Sequence, residues 1–304
     1  MKRALVGVLI ATACCGPKGG ANNPRPDLTV EAVISELAKA REALTSFTGE
    51  STMDYWLSGQ RAKGDVLVMG KVGKFVRFAA LSPAGGSTIA EMACDGTNFV
   101  YIDYQNNCAL TGPCDAKSVA IFFGIELDPD DFVHLALGTP PTIGGNPTGK
   151  ITWDGGRSVH KVELTSSEGT QKLSIDTRPA SWNVLDTELV GTDGKQRWSV
   201  TNRDFGKVEG SGERAVPGKT QFKSPAQNQD LLVEWKERKV NVTLAPQKFQ
   251  LAAPQGLPTC GQQAPAAKTT PAPAKPAPAP APAKPAPAPA KPAPAPAKPA
   301  PTKP

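Results

Sequence analysis

The sequence predicts a mainly β protein, an antiparallel sheet or barrel covered by a few helices. Three observations carry that reading. Residues 64–104 read as four alternating strands (64–69, 74–81, 88–94 and 99–104) joined by turn chemistry at Gly70 to Gly73, Pro83-Ala84-Gly85-Gly86 and Asp95-Gly96. Residues 150–236 then repeat short strand-like runs at regular spacing, separated by Gly155-Gly156, Asp193-Gly194 and similar turns. Only three segments carry helical spacing, and all are short.

In 64–104 the charged residues Asp65, Arg77, Glu91 and Asp103 mark the wet face of each strand. Side chains alternate along a strand, so the other face should hold Val66, Val68, Val76, Phe78, Ala80, Ala90, Met92, Cys94, Val100, Ile102 and Tyr104. The question this raises is whether that apolar face is a plain core or the wall of a ligand cavity.

From the start, residues 1–13 read as a signal peptide. Lys2 and Arg3 precede ten apolar residues, too few to span a bilayer. Ile10-Ala11-Thr12-Ala13-Cys14 resembles the bacterial lipobox, in which a lipid is attached to the cysteine; Ala11 stands where leucine is usual. Cys14 is therefore the candidate lipidation site, with a membrane as the implied partner. Paired free thiols have little other use in an oxidising compartment. Cys15 and not Asp follows Cys14, which under the enterobacterial sorting rule points to the outer membrane, facing the periplasm. Residues 14–27 read as a tether. Val30, Val33, Ile34, Leu37, Arg41 and Leu44 then recur at helical spacing behind Thr29, a natural N-cap, and predict a helix of about four turns. Residues 47–57 read as a strand with Met53, Tyr55 and Leu57 inward.

Residues 106–114 read as a polar loop. Beyond Cys14 and Cys15 the cysteines are Cys94, Cys108, Cys114 and Cys260, which allow three pairings. The short separation favours Cys108–Cys114, leaving Cys94–Cys260. Metal binding is not expected, as there is no CxxC and neither histidine lies near a cysteine. Residues 117–123 and 129–137 read as short helices, the second capped by Asp128 with Pro129 at its first position. Their Val119, Phe122, Phe123, Phe132, Val133 and Leu135 could cover the open side of the sheet. Strands follow at 150–154, 158–165, 171–176, 182–189, 196–201, 219–222 and 231–236.

Residues 261–304 form a Pro-Ala-Lys tail expected to be disordered and rich in polyproline II. From residue 264 on it holds 16 of the 31 prolines and six of the 34 basic residues, and no acidic one. Without those six, 28 basic residues face 28 acidic ones, so the basic pI describes the tail and gives no support for nucleic-acid binding by the body. The tail reads as a spacer or as a lysine-bearing arm for anionic peptidoglycan or lipid headgroups. The body, 28–260, is long enough for one β-rich domain.

No catalytic constellation appears, and no cofactor is expected. His134 sits in a short apolar helix and His160 in a strand between Val159 and Lys161, so the two histidines read as structural or solvent-facing and not as catalytic. There is no G-x-S-x-G elbow, no HExxH and no kinase signature. Gly212 to Thr220 has one residue too many for a P-loop, and no helix is expected after it. The chain reads as a binding or structural protein and not as an enzyme.

A family resemblance joins these pieces. Gly64-Asp65-Val66-Leu67-Val68, Lys74-Phe75-Val76-Arg77-Phe78, Ser82-Pro83 and Cys94-Asp95-Gly96-Thr97-Asn98-Phe99-Val100-Tyr101 resemble, in order, the central strands of LolA-type lipoprotein carriers. Lys248-Phe249-Gln250-Leu251 with Pro254-Gln255-Gly256 is similar to the family's closing motif, and 81–88 resembles a loop of LolB, the membrane-anchored relative. The resemblance implies an unclosed antiparallel β-barrel with helices as a lid over a cavity for an acyl chain. It then implies a hydrophobic ligand site lined by Met53, Tyr55, Val66, Val68, Val76, Phe78, Met92, Val100, Ile102, Phe122, Phe132 and Leu135. Two positions depart from the family: Gly70 stands where LolA carriers have a lid-holding arginine, and Ala84 where LolB has a membrane-inserting leucine. The expected function is a membrane-anchored envelope lipoprotein binding an apolar ligand or acyl chain. The rival is a structural envelope protein with an inert barrel and a tail that makes the contacts.

Overall fold

The computed structural model describes residues 21–57, 60–123, 126–179 and 182–261. The signal peptide, Cys14 and the tail beyond Gly261 lie outside the described residues. The chain runs α1 (Val30–Ala43), β1 (Ser46–Leu57), β2 (Gln60–Lys71), β3 (Phe75–Leu81), β4 (Thr88–Asp95), β5 (Asn98–Asp103), β6 (Cys108–Pro113), α2 (Ala116–Phe123), α3 (Pro129–Ala136), β7 (Thr148–Asp154), β8 (Val159–Ser166), β9 (Gly169–Asp176), β10 (Asn183–Val190), β11 (Gln196–Gly206), β12 (Val216–Ser224) and β13 (Gln229–Val240). Short 3-10 turns follow β12 and β13, at Pro225–Gln227 and Pro246–Phe249.

The strands form one 13-stranded sheet in the order β6-β5-β4-β3-β2-β1-β13-β12-β11-β10-β9-β8-β7. Each pairing is antiparallel, and β6 and β7 remain unpaired with each other, so the barrel is open. The architecture is two up-and-down meanders, β1–β6 and β7–β13, fused where the first strand of one meets the last strand of the other. That junction runs from Phe47 opposite Val240 to Tyr55 opposite Leu231.

Two buried clusters lie on the inner face. Met53, Val68, Phe78 and Met92 from the first meander meet Phe122 of α2, Phe132 and Leu135 of α3, and Phe222 and Val233 of β12 and β13. Val33 and Leu37 of α1 pack on Val162, Leu164, Leu173 and Ile175 of β8 and β9. The α1 cap is as expected: the Thr29 hydroxyl accepts from the Ala32 N–H. Asp128 does the same for α3, accepting from Asp130 N at 3.0 Å.

Two expectations are corrected. Residues 106–114 are not simply a loop, because 108–113 form β6, whose Gly112 leaves room for the Phe99 ring: a Cβ there would sit 2.8 Å from it. That strand also rules out a Cys108–Cys114 bridge. The two cysteines stand at opposite ends of six extended residues, roughly 20 Å apart, whereas a disulfide needs Cα atoms within about 7 Å. The bridges are Cys94–Cys114, with Cα atoms 5.6 Å apart, and Cys108–Cys260, at 4.9 Å. The first joins the start of α2 to β4. The second pins the segment after β13, which crosses the outer face of the first meander, with Phe249 against Phe75 at 5.4 Å and Lys248 O accepting from Arg77 at 2.8 Å. Its end bridges Ala109 at the free edge of β6.

Peptide mapping without reduction should recover the linked pairs Cys94–Cys114 and Cys108–Cys260. The double variant Cys108→Ala/Cys260→Ala should lose roughly 2–5 kcal/mol of stability, read by denaturant unfolding, and expose 241–261 to protease.

Candidate ligand-binding interior

Cross-strand register decides which side chains meet. Residues directly opposite in an antiparallel pair share a face, so Val68, Phe78, Met92, Tyr101 and Leu110 form one inner row across β2 to β6. Gly70, Val76, Cys94, Phe99 and Gly112 form the next. The helices close over these rows. Phe122 stacks on Phe78 with centroids 5.4 Å apart and meets Tyr101 edge-on at 6.3 Å, while Phe132 meets Phe78 edge-on at 4.8 Å.

Of the residues expected to line a cavity, Met53, Val66, Val68, Val76, Phe78, Met92, Phe122, Phe132 and Leu135 lie in this buried interior, and Tyr55 packs half-buried at its margin. Val100 and Ile102 do not. Ala93 and Glu91 are their partners on β4, so they occupy the outer face, over which the segment after β13 is laid; Phe99 and Tyr101 take the inner positions. The error came from treating Asp103 as a marker of the wet face. Asp103 ends its strand, where its carboxylate accepts from the Gln105 and Asn106 N–H groups, so it reaches solvent whichever face it starts from. The two-residue hairpin at Gly96-Thr97 held the correct signal, since it places Phe99 opposite Cys94.

Among the described residues the inner face and the helices pack closely on one another. The space beneath α3 is an apolar cavity of ≈ 20 Å³ lined by Leu127, Phe132, Leu135, Phe222, Val233 and Trp235 among others. That is about the room of one water, far below the few hundred Å³ of a ligand pocket. The Trp235 indole N–H beside it has no hydrogen-bond partner among the described residues.

α3 is pinned at both ends. At its start the Asp130 carboxylate accepts from Gly73 N at 2.9 Å and Lys74 N at 2.7 Å, and Lys74 pairs with Asp128 at 3.1 Å. At its finish Arg238 donates to Ala136 O and, at 2.5 Å, to Pro217 O, with its guanidinium over the Trp235 ring at 4.7 Å. A cation at a helix C-terminus meets the negative end of the backbone dipole. Burial pulls Arg238 down to about 9. Sequence alone missed this arginine because a bulge on β13, opposite Glu50/Ser51, resets the alternation. Leu231, Val233 and Trp235 face inward, and after the bulge the inward positions are 238 and 240, not 237 and 239.

Gly70 also acquires a reason. A Cβ there would sit 2.7 Å from the Phe47 ring and 2.9 Å from Val133 of α3, so the backbone of β2 is the floor on which α3 rests. An arginine at this position has no room. Ala84 lies exposed in the β3–β4 loop. His134 and His160 are buried, each ring nitrogen Nδ1 within hydrogen-bond reach of a threonine hydroxyl, Thr139 at 3.2 Å and Thr177 at 3.0 Å.

A mainly antiparallel open half-barrel with helices lying on its inner face is thus the class of fold present. No family model matches the sequence, and no curated protein does. Among solved structures the chain is similar to a LolA superfamily protein from Nitrosomonas europaea (11% identity, 74% of this chain and 98% of that one, TM-score 0.46). It is also similar to a DUF1329 family protein from Desulfovibrio piger (10% identity, 73% and 97% coverage, TM-score 0.47). A domain from Vibrio parahaemolyticus named for outer membrane lipoprotein sorting is similar at 10% identity, with 70% and 94% coverage and a TM-score of 0.43.

Gly70→Ala should destabilise the fold by about 1–3 kcal/mol through the clash with Phe47 and Val133, measured by urea unfolding. A second outcome concerns pH. Burial, with Arg41 adding to it and Asp130 opposing, holds His134 down at about 4 in the folded chain, against about 6.5 unfolded. The unfolded state therefore binds more protons between these values, and stability falls as pH drops from 6.5 toward 4. His134→Gln should flatten that part of the stability–pH curve.

Proposed function

We propose that this chain is a cell-envelope lipoprotein, anchored by lipid on Cys14, whose half-barrel takes an acyl chain or similar apolar ligand between its inner face and α2–α3. The observation that carries the reading is the seam between α3 and the β12–β13 pair. There an apolar cavity, an indole N–H with no partner among the described residues and a wall of aromatic and aliphatic side chains meet under a helix whose polar fastenings are at its two ends. At ≈ 20 Å³ the seam is closed, so binding requires α2 or α3 to lift and expose the Phe78, Phe122 and Phe132 stack. Exposed apolar surface of this kind contributes roughly 25 cal/mol per Å² when a chain covers it, which can offset the cost of lifting a short helix.

The lysine-bearing tail then serves as a second contact, toward anionic peptidoglycan. The packed interior favours the rival reading: an inert barrel that positions the tail as the working part of a structural envelope protein.

The two separate cleanly. The full chain with Cys14→Ser and Cys15→Ser is titrated with a fluorescent fatty acid, and lipids co-purified with it are extracted for mass spectrometry. Saturable micromolar binding, weakened about tenfold by Val233→Phe, which fills the seam, supports the carrier reading. No bound lipid and no saturable binding supports the inert barrel.

A further inference from the structure

Residues 21–25 are fixed to the end of the second meander. Ala21 donates its N–H to Gly155 O at 3.0 Å and accepts from the Trp153 indole N–H at 2.8 Å. Asn23 Oδ1 accepts from Arg25 N at 2.9 Å. The Arg25 side chain donates through Nε to Thr177 O at 3.1 Å, with its guanidinium over the Trp182 ring at 5.2 Å. Composition reads this stretch as tether, yet it is clamped across the β7–β8 and β9–β10 turns.

The clamp shortens the leash. Only residues 15–20 lie between Cys14 and Ala21. At 3.3–3.6 Å per residue they reach at most about 25 Å. We propose that residues 154–158 and 176–179, with the 21–25 clamp, form a lipid-facing surface that holds the domain at a set orientation on a bilayer. This rests on the acylation of Cys14 proposed above.

The chemistry of this end suits a headgroup layer. Arg25, Arg157 and Arg178 stand there beside Trp153 and Trp182, and cations and indoles are the side chains that settle at anionic interfaces. Arg157 and Arg178 are each paired to an aspartate at 2.7 Å (Asp186 and Asp176), so the anchor supplies the affinity and the leash supplies the orientation. Following the pairings across the sheet, the β3–β4 loop at 82–87 sits at the other strand ends. Ala84 therefore lies, in the topology of the sheet, at the strand ends opposite those that carry the clamp.

The test uses the full chain, acylated in a bacterial host, in vesicles of phosphatidylethanolamine and phosphatidylglycerol (3:1) doped with a lipid carrying a short photocrosslinker on its headgroup. Crosslinked peptides are mapped after irradiation. The expected result is labelling at 150–161 and 176–186 at least five times that at 82–87. Arg25→Ala/Trp153→Phe, verified as folded by an unchanged far-UV spectrum and cooperative urea unfolding, loosens the 21–25 clamp and should reduce the ratio toward one. An acylated, vesicle-bound protein labelled evenly, or most at 82–87, overturns the inference and leaves the anchor standing, as does a bias unchanged in the double variant. A chain with no acyl mass that stays off the vesicles overturns both.

Discussion

The pairing of β1 with β13 is the constraint on which the rest depends. It joins residues almost 200 positions apart, Phe47 with Val240, and turns two local meanders into one sheet with a common inner face. Without it each meander would present an unpaired edge and half of an apolar wall. The inner cluster shows the dependence directly: Met53 and Val68 on one side of the junction and Phe222 and Val233 on the other pack against the same two helices. Such a contact costs loop-closure entropy before it gains anything, so the meanders, with their short hairpins, are the parts expected to form first.

What the junction creates is a seat for α3, and the seat is unusual in being polar at its ends and apolar between. Asp130 binds two backbone N–H groups of the β2–β3 turn, and Arg238 binds the last carbonyl of the helix, that of Ala136. A buried guanidinium whose Nε has no partner among the described residues is tolerated because two carbonyls and the Trp235 face share the charge. Between these ends Val133 rests on the bare backbone of Gly70. The same features that make the interior compact also define the seam along which it would open.

The free edges are managed in different ways. β6 is covered at one end by the Thr259 bridge and the Cys108–Cys260 disulfide. β7 carries Thr148, Lys150 and Thr152, polar side chains that discourage edge pairing, and its last turn is occupied by Ala21. Both chain segments that flank the sheet are thus used as fastenings, which is how a tether by composition becomes a clamp by contact.

The sequence by itself determined the local structure. Alternation and turn residues were enough for the strands of both meanders except β6, and caps such as Thr29 and Asp128 were enough for the helices, because these depend on neighbours within a few positions. It also determined most of the inner wall, from Met53 and Val66 through Phe78 and Met92 to Phe132. Tertiary structure alone decided matters that depend on register and on distant partners. The β5 phase follows from a hairpin register that outweighs one charged residue. The inward turn of Arg238 follows from a bulge invisible in composition. The disulfide pairing follows from which strand ends lie side by side, and the role of Gly70 from the helix that lands on it. Proximity along the chain is a poor guide in an extended sheet, since six residues of strand separate two cysteines more effectively than 152 residues of folded chain.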